Sequence, residues 1–177
     1  SGDDNVDVKS VGNPTTVNTQ AGDDVITVSD TSTTLNQIAS NLTVNLGADD
    51  DILNLNDQGD GVNNEGRLTA TTFSGFGITD GQTITYSGTE TLNVNLGSKV
   101  DNLTVESTHA RTTNINTGAG DDILDIESVA GTTTVNTQSG DDNVDVKSVG
   151  NPTTVNTQAG DDVITVSDTS TTLNQIA

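Results

Sequence analysis

Apolar and polar residues alternate in short runs along this chain, and the runs recur. Leu42, Val44, Leu46, Leu53 and Leu55 follow an every-second-residue pattern, as do Leu92, Val94, Leu96, Leu103 and Val105. Val17 with Thr15 and Thr19, then Ile26 with Val28, repeat it. A period of two predicts strands with one face on a core. The opposite parity carries Thr16/Asn18, Thr43/Asn45, Asn93/Asn95, Asn114/Asn116, Thr134/Asn136 and Thr154/Asn156, which predicts a polar outer stripe. No segment has a helical apolar period.

The pattern repeats at two levels. Residues 1–39 are identical to 139–177, so a 138-residue unit (1–138) is followed by the first 39 residues of the next (139–177). Along the chain, an acidic turn recurs at intervals of 20, 27, 50, 21, 20 and 20 residues, ending on Asp4, Asp24, Asp51, Asp101, Asp122, Asp142 and Asp162, the last two in the second copy. Periods near 20 in β-type sequence predict an all-β fold, a right-handed parallel β-solenoid running continuously over 1–177. Like residues would then stack ~4.8 Å apart and form ladders. The 50-residue interval predicts an irregular region, 57–91. There a protruding loop, Asp57–Gly66, would lead into one extra coil built on Leu68, Ala70, Phe73, Phe76, Ile78, Ile84 and Tyr86. The chain starts and stops in mid-pattern without a polar cap, so head-to-tail continuation with another copy is expected.

Composition narrows the function. The net charge of −21, with few aromatics and scarce apolar residues, would by itself indicate disorder. Regularly spaced Val, Ile and Leu argue instead for narrow β-structure. With 26 acidic against 5 basic residues the chain has no stripe for nucleic acid or anionic membranes. No apolar run approaches the ~18 residues of a membrane-spanning helix. Cations are the expected partners.

The acidic turns supply the candidate ligands: Asp3, Asp4, Asp23, Asp24, Asp50, Asp51, Asp101, Asp121, Asp122, Asp141, Asp142, Asp161 and Asp162. An isolated Asp-Asp is usually a solvated turn former. Stacked every ~4.8 Å, each carboxylate repels the next by about 1 kcal/mol in water, and several-fold more at an effective dielectric of ~20. Neutralisation by a hard divalent cation fits this arrangement. Calcium takes carboxylate and carbonyl oxygens in flexible geometry, whereas zinc would want His or Cys.

Thr117-Gly118-Ala119-Gly120-Asp121-Asp122-Ile123-Leu124-Asp125 resembles the nonapeptide Gly-Gly-x-Gly-x-Asp-x-U-x of the haemolysin-type (RTX) calcium-binding repeats, lacking its first Gly. Asp122 matches the liganding Asp and Leu124 the inward apolar position. The matching pairs elsewhere are Asp24/Ile26, Asp51/Leu53, Asp101/Leu103, Asp142/Val144 and Asp162/Ile164. The chain as a whole is similar to repetitive segments of very large bacterial extracellular proteins. The resemblance implies a calcium-dependent parallel β-roll that folds after export. Three departures stand out: one nonapeptide per coil in place of two, Gln20, Gln138 and Gln158 at the second Gly, and Lys99-Val100 at the fourth turn, where the Lys99 ammonium is expected to replace an ion.

The resulting expectation is a structural, calcium-stabilised segment of a secreted or cell-surface filament, stalk or adhesin. Its partners would be calcium, further copies of itself and cell-surface or matrix polymers. Carboxylates repeated in a column form no unique catalytic pair, so no enzyme is expected. The alternative is a glycan- or ice-binding face on the Thr/Asn rows. His109 and Arg111 are expected at a solvated corner, and Arg67 to offset Glu65.

Overall fold

A computed structural model describes residues 1–167, so the last ten residues of the second copy lie outside the described part. The elements are β1 (Asn5–Val8), β2 (Thr15–Ala21), β3 (Val25–Val28), β4 (Leu42–Ala48) and β5 (Ile52–Asn56). Next come β6 (Asn64–Leu68), β7 (Thr72–Gly75), β8 (Ile84–Ser87), β9 (Thr91–Asn95) and β10 (Asp101–Val105). β11 (Thr112–Asn116), β12 (Ile123–Ile126), β13 (Thr133–Asn136), β14 (Asn143–Val146), β15 (Thr153–Asn156) and β16 (Val163–Val166) complete the series. No helix occurs among the described residues.

The strands form two sheets, a seven-stranded one ordered β1-β3-β5-β9-β11-β13-β15 and a nine-stranded one ordered β16-β14-β12-β10-β6-β7-β8-β4-β2. Outside the middle of the nine-stranded sheet every pairing is parallel and joins equivalent positions of successive turns of chain, such as Asn5 with Val25 and Ile115 with Val135. Outside β6–β8 the chain thus crosses between the sheets at each successive strand, as in a parallel β-solenoid. The alternation is obeyed: Ile26, Val28, Leu42, Val44, Leu53, Leu55, Leu92, Val94, Leu103 and Val105 are fully buried between the sheets. Each such aliphatic side chain contributes about 2 kcal/mol of burial, which is how a chain so poor in aromatics sustains a core.

The outward parity forms amide ladders. Asn156 donates through Nδ2 to Asn136 Oδ1, Asn136 to Asn116, Asn116 to Asn95 and Asn95 to Asn56, at 2.7–2.9 Å. A second row runs from Asn114 to Asn93 to Asn54.

Residues 57–91 differ from the expected single extra coil. β6 pairs with β7 and β7 with β8 in antiparallel sense, so three strands of the nine-stranded sheet are wedged between β4 and β10. Of the apolar residues expected there, Leu68, Phe73, Phe76, Ile78, Ile84 and Tyr86 are buried, with Phe73 and Phe76 stacked at 5.5 Å, and Ala70 is half-buried. The approach loop is not simply protruding either. Asp57 and Asp60 are buried, and Val62 is exposed at its tip.

This wedge changes which sheet each kind of strand occupies. Before it, strands that follow an acidic turn (β1, β3, β5) lie in the seven-stranded sheet and the Thr/Asn strands β2 and β4 in the nine-stranded one. After it, the Thr/Asn strands β9, β11, β13 and β15 lie in the seven-stranded sheet, and β10, β12, β14 and β16 in the other. The identical segments Asn5–Val8 and Asn143–Val146 therefore sit in opposite sheets.

Candidate functional site, two acidic edges

Because all strands of the seven-stranded sheet run parallel, turns leaving it lie on one edge of the solenoid and turns entering it on the other. The turns before β3 and β5 enter that sheet, and those before β10, β12, β14 and β16 leave it. The single seven-rung acidic column suggested by the repeat is thus two columns on opposite edges. Edge one carries Asp3/Asp4, Asp23/Asp24 and Asp50/Asp51. Edge two carries Asp101, Asp121/Asp122, Asp141/Asp142 and Asp161/Asp162.

Within each turn the two carboxylates have different surroundings. The first Asp is exposed in Asp3, Asp23, Asp50, Asp121, Asp141 and Asp161. Its Oδ1 accepts the backbone N–H of the next rung, from Asp23 to Asp3 and Asp50 to Asp23 on edge one, and from Asp141 to Asp121 and Asp161 to Asp141 on edge two, at 2.9–3.1 Å. The second Asp shares the parity of the core residues that follow it, so it turns inward. Asp24, Asp51, Asp101, Asp122 and Asp142 are all buried, whereas Asp4 is exposed and Asp162 half-buried.

The inner carboxylates form a ladder of their own. Asp4 N–H donates to Asp24 Oδ1 and Asp24 N–H to Asp51 Oδ1, each at 2.8 Å. On edge two Asp101 donates to Asp122, Asp122 to Asp142 and Asp142 to Asp162, at 2.9–3.0 Å. Each buried carboxylate keeps one oxygen without a hydrogen-bond partner: Oδ2 of Asp24, Asp51, Asp122 and Asp142, and Oδ1 of Asp101. A buried anionic oxygen left unpaired is destabilising unless it is protonated or neutralised.

The electrostatics follow from that geometry. Burial pushes Asp122 up to about 6, countered by the nearby Thr117 hydroxyl, whose own bond goes to the Thr137 carbonyl, and by the Asp101 N–H, while Asp142 and Asp121 add repulsion. Burial likewise raises Asp101 to about 6, with Asp122 and Asp60 as repelling neighbours. Asp51 and Asp142 are also raised, chiefly by burial. Among the described residues no ion pair offsets this. Lys99 is exposed and forms no ion pair among the described residues, so it does not replace an ion at Asp101. Arg67 pairs with Glu106 instead of Glu65, and Lys147 with Asp125 and Glu127 on an outer face.

Three acidic residues outside the repeat join the columns. Glu90 ends edge one by accepting the Asp51 N–H through Oε2 at 3.1 Å. Asp57 stands at the start of edge two, where its Oδ1 accepts the Leu35 N–H at 2.9 Å and burial with nearby Asp60 and Asp101 raises it to about 7. Asp60 takes the Val62 N–H and the Asn36 amide. These partners lie 22 to 24 residues away for Asp57 and Asn36–Asp60, and only the three-dimensional winding brings them together.

Turn geometry supports the close stacking. Gly120, Gly140 and Gly160 have φ of 139°, 134° and 148°, and a Cβ at Gly140 would meet the Gly120 carbonyl oxygen at 1.9 Å. Gln20, Gln138 and Gln158 are left-handed at φ 81°, 68° and 61°, so the backbone that Gly118 adopts at φ 96° is kept where Gln stands. The corner at His109 is less solvated than expected. His109 is half-buried, edge-on to Tyr86 at 6.2 Å with Nδ1 3.1 Å from Thr113 Oγ1, and burial lowers its basicity.

Among the described residues no three His, Asp or Glu side chains converge where they could hold a metal ion together. A cation on either edge would need one or two carboxylates completed by backbone carbonyls, a mixed oxygen set that suits calcium and not zinc. Comparison with protein-family models, with curated proteins and with solved structures returns no match.

Proposed function

We propose that the chain is a structural segment of a calcium-stabilised solenoid, wound right-handed in coils of about 20 residues, within a secreted or cell-surface bacterial filament, stalk or adhesin. The observation that carries this reading is the inner ladder, in which buried carboxylates stacked on two edges each keep an unpaired oxygen with no basic side chain beside them. The RTX-like turns supply the same chemistry, with Asp24, Asp51, Asp101, Asp122 and Asp142 as inner ligands and the exposed Asp of each turn, together with turn carbonyls, as outer ones.

Calcium would act by linkage to folding. At a Kd of ~10⁻⁴–10⁻³ M, millimolar calcium adds roughly 1 kcal/mol per site, small singly and additive along the two columns. The segment would be weak in calcium-poor cytoplasm and rigid outside the cell, a property suited to spacing or extending and not to catalysis. The ligand-face alternative is less favoured, because the Asn side chains of the outer rows already spend donor and acceptor on one another.

Far-UV circular dichroism and thermal melting in millimolar calcium and in chelator test the proposal. A β-signal whose melting temperature rises with calcium supports it. Identical melting in the two conditions would remove calcium from the account and leave the solenoid.

A further inference from the structure

The wedge encloses a cavity that the acidic columns do not use. Three stretches of chain meet around it: the turn between β6 and β7, the end of β8 with the crossing to β9, and the corner before β11. Its volume is about 260 Å³, room for roughly eight waters at ~30 Å³ each. Ala70, Thr71, Tyr86, Ser87, Thr89 and His109 line it, and no carboxylate, Lys or Arg does. We propose that this cavity binds a single neutral sugar ring, by which the segment holds a glycan.

Two of the lining residues have unspent hydrogen-bonding capacity. Thr89 is 5% exposed and its Oγ1 has no partner, and His109 Nε2 is likewise buried and unpartnered. Buried polar atoms are nearly always bonded, so two exceptions lining one cavity mark a place for a ligand's polar groups. The hydroxyl is the group that fits both. His109 Nδ1 lies 3.1 Å from Thr113 Oγ1, and either member of that pair can be the donor. With Nδ1–H donating, Nε2 is an acceptor; with Thr113 donating, Nε2–H is a donor. A ligand hydroxyl serves either tautomer, and serves the Thr89 hydroxyl equally. Burial lowers the basicity of His109, so the ring is neutral at pH 7.5 and asks for no counter-ion.

The rest of the lining suits a ring with one apolar face. Tyr86 spends its hydroxyl on the Thr69 carbonyl at 2.6 Å and stands edge-on to His109, so it lends the cavity only its ring. Ala70 adds a methyl, and exposed Thr71 and Ser87 add hydroxyls at the mouth. An apolar wall with a few placed polar groups is the usual make-up of a small-molecule site. The net charge of −21 disfavours anionic sugars, which leaves neutral ones. Calcium has no part in this site, so its occupancy is independent of the acidic columns. The wedge occurs once per 138-residue unit, and weak sites repeated along a filament would hold a polymer through multivalency.

NMR titration of the 177-residue chain at pH 7.5 tests this. His109 is its only histidine and Tyr86 its only tyrosine, so both cavity rings give unambiguous signals. The titrants are D-galactose, D-mannose, N-acetyl-D-glucosamine and D-glucuronate, each up to about 0.1 M. At least one neutral sugar should shift both ring signals saturably, with a Kd in the millimolar range, and D-glucuronate should not. Thr89→Val keeps the shape, removes the hydroxyl and should weaken binding about tenfold. Ala70→Phe fills the cavity and should abolish binding; circular dichroism checks both folds, and Thr89→Val decides alone if Ala70→Phe does not fold. The proposal is overturned if no neutral sugar gives a saturable shift, if D-glucuronate binds as well, or if a folded variant binds like the wild type. Calcium-raised melting without sugar binding removes this site and leaves the proposed function standing; sugar binding without any effect of calcium does the reverse.

Discussion

Asp101 gives its backbone N–H to Asp122 Oδ1 at 2.9 Å, and neither carboxylate has a basic side chain beside it. One bond of this kind per rung holds neighbouring turns in register. It also stacks anions in the interior, so the element that aligns the coils is the one that opposes their folding at neutral pH.

The pH dependence of stability follows. Unfolded carboxyls titrate near pH 4, whereas Asp101 and Asp122 are raised to about 6 and Asp57 to about 7. Between these limits the native state binds more protons than the unfolded state, so stability falls as pH rises through the window. In chelator, the melting temperature should therefore climb by several degrees as pH is lowered from about 7.5 to 5. Calcium needs the ionised carboxylates, so its added stability should be largest above pH 7 and fade towards pH 5. A chelator series in which melting drops on acidification contradicts the inner ladder.

Glu90 tests the division into two edges. If edge one ends on this residue, Glu90→Ala leaves the Asp51 N–H without its acceptor and should destabilise by about 1–2 kcal/mol. Glu90→Gln keeps an acceptor, removes a charge that repels Asp51, and should be neutral or slightly stabilising. Equal effects of the two substitutions in urea denaturation would argue against the contact.

The turn backbone makes a paired prediction. Gly140→Ala places a methyl 1.9 Å from the Gly120 carbonyl oxygen at φ 134° and should destabilise by about 2–4 kcal/mol. Gln138→Gly relieves a left-handed Gln at φ 68° and, after the added entropy of the unfolded chain, should stabilise by up to about 1 kcal/mol. Thermal melts of the two variants in opposite directions are the expected outcome.

Much of this was legible in the sequence. The core positions, the outward Asn rows and the stacking of turns all follow from strand alternation plus a period near 20, and alternation is a local steric property. The inward direction of the second Asp was also encoded, since Asp24 precedes Ile26 by two residues and Asp122 precedes Leu124 likewise. The sheet exchange was harder to see. Aligning the chain by its acidic turns assigns β5 to the strands that follow those turns, yet Ile52-Leu53-Asn54-Leu55-Asn56 matches Thr91-Leu92-Asn93-Val94-Asn95, its partner strand β9. That resemblance is the signal, because Asn54 and Asn56 must meet Asn93 and Asn95 for the ladder to cross the wedge. The burial of Asp57 and Asp60 had no local signature. Their partners Leu35 and Asn36 are distant in sequence, and Gly59 and Gly61 make the segment read as an exposed loop.

The central claim, that calcium neutralises the inner ladder, is met most directly by counting bound ions. Equilibrium dialysis against calcium at pH 7.5 should find several ions on the wild-type chain. The variant D24N/D51N/D122N/D142N, which keeps each Oδ1 acceptor and loses the buried charges, should bind markedly fewer and melt higher than the wild type in chelator. Equal calcium binding by the two proteins, or none by the wild type, would contradict the account.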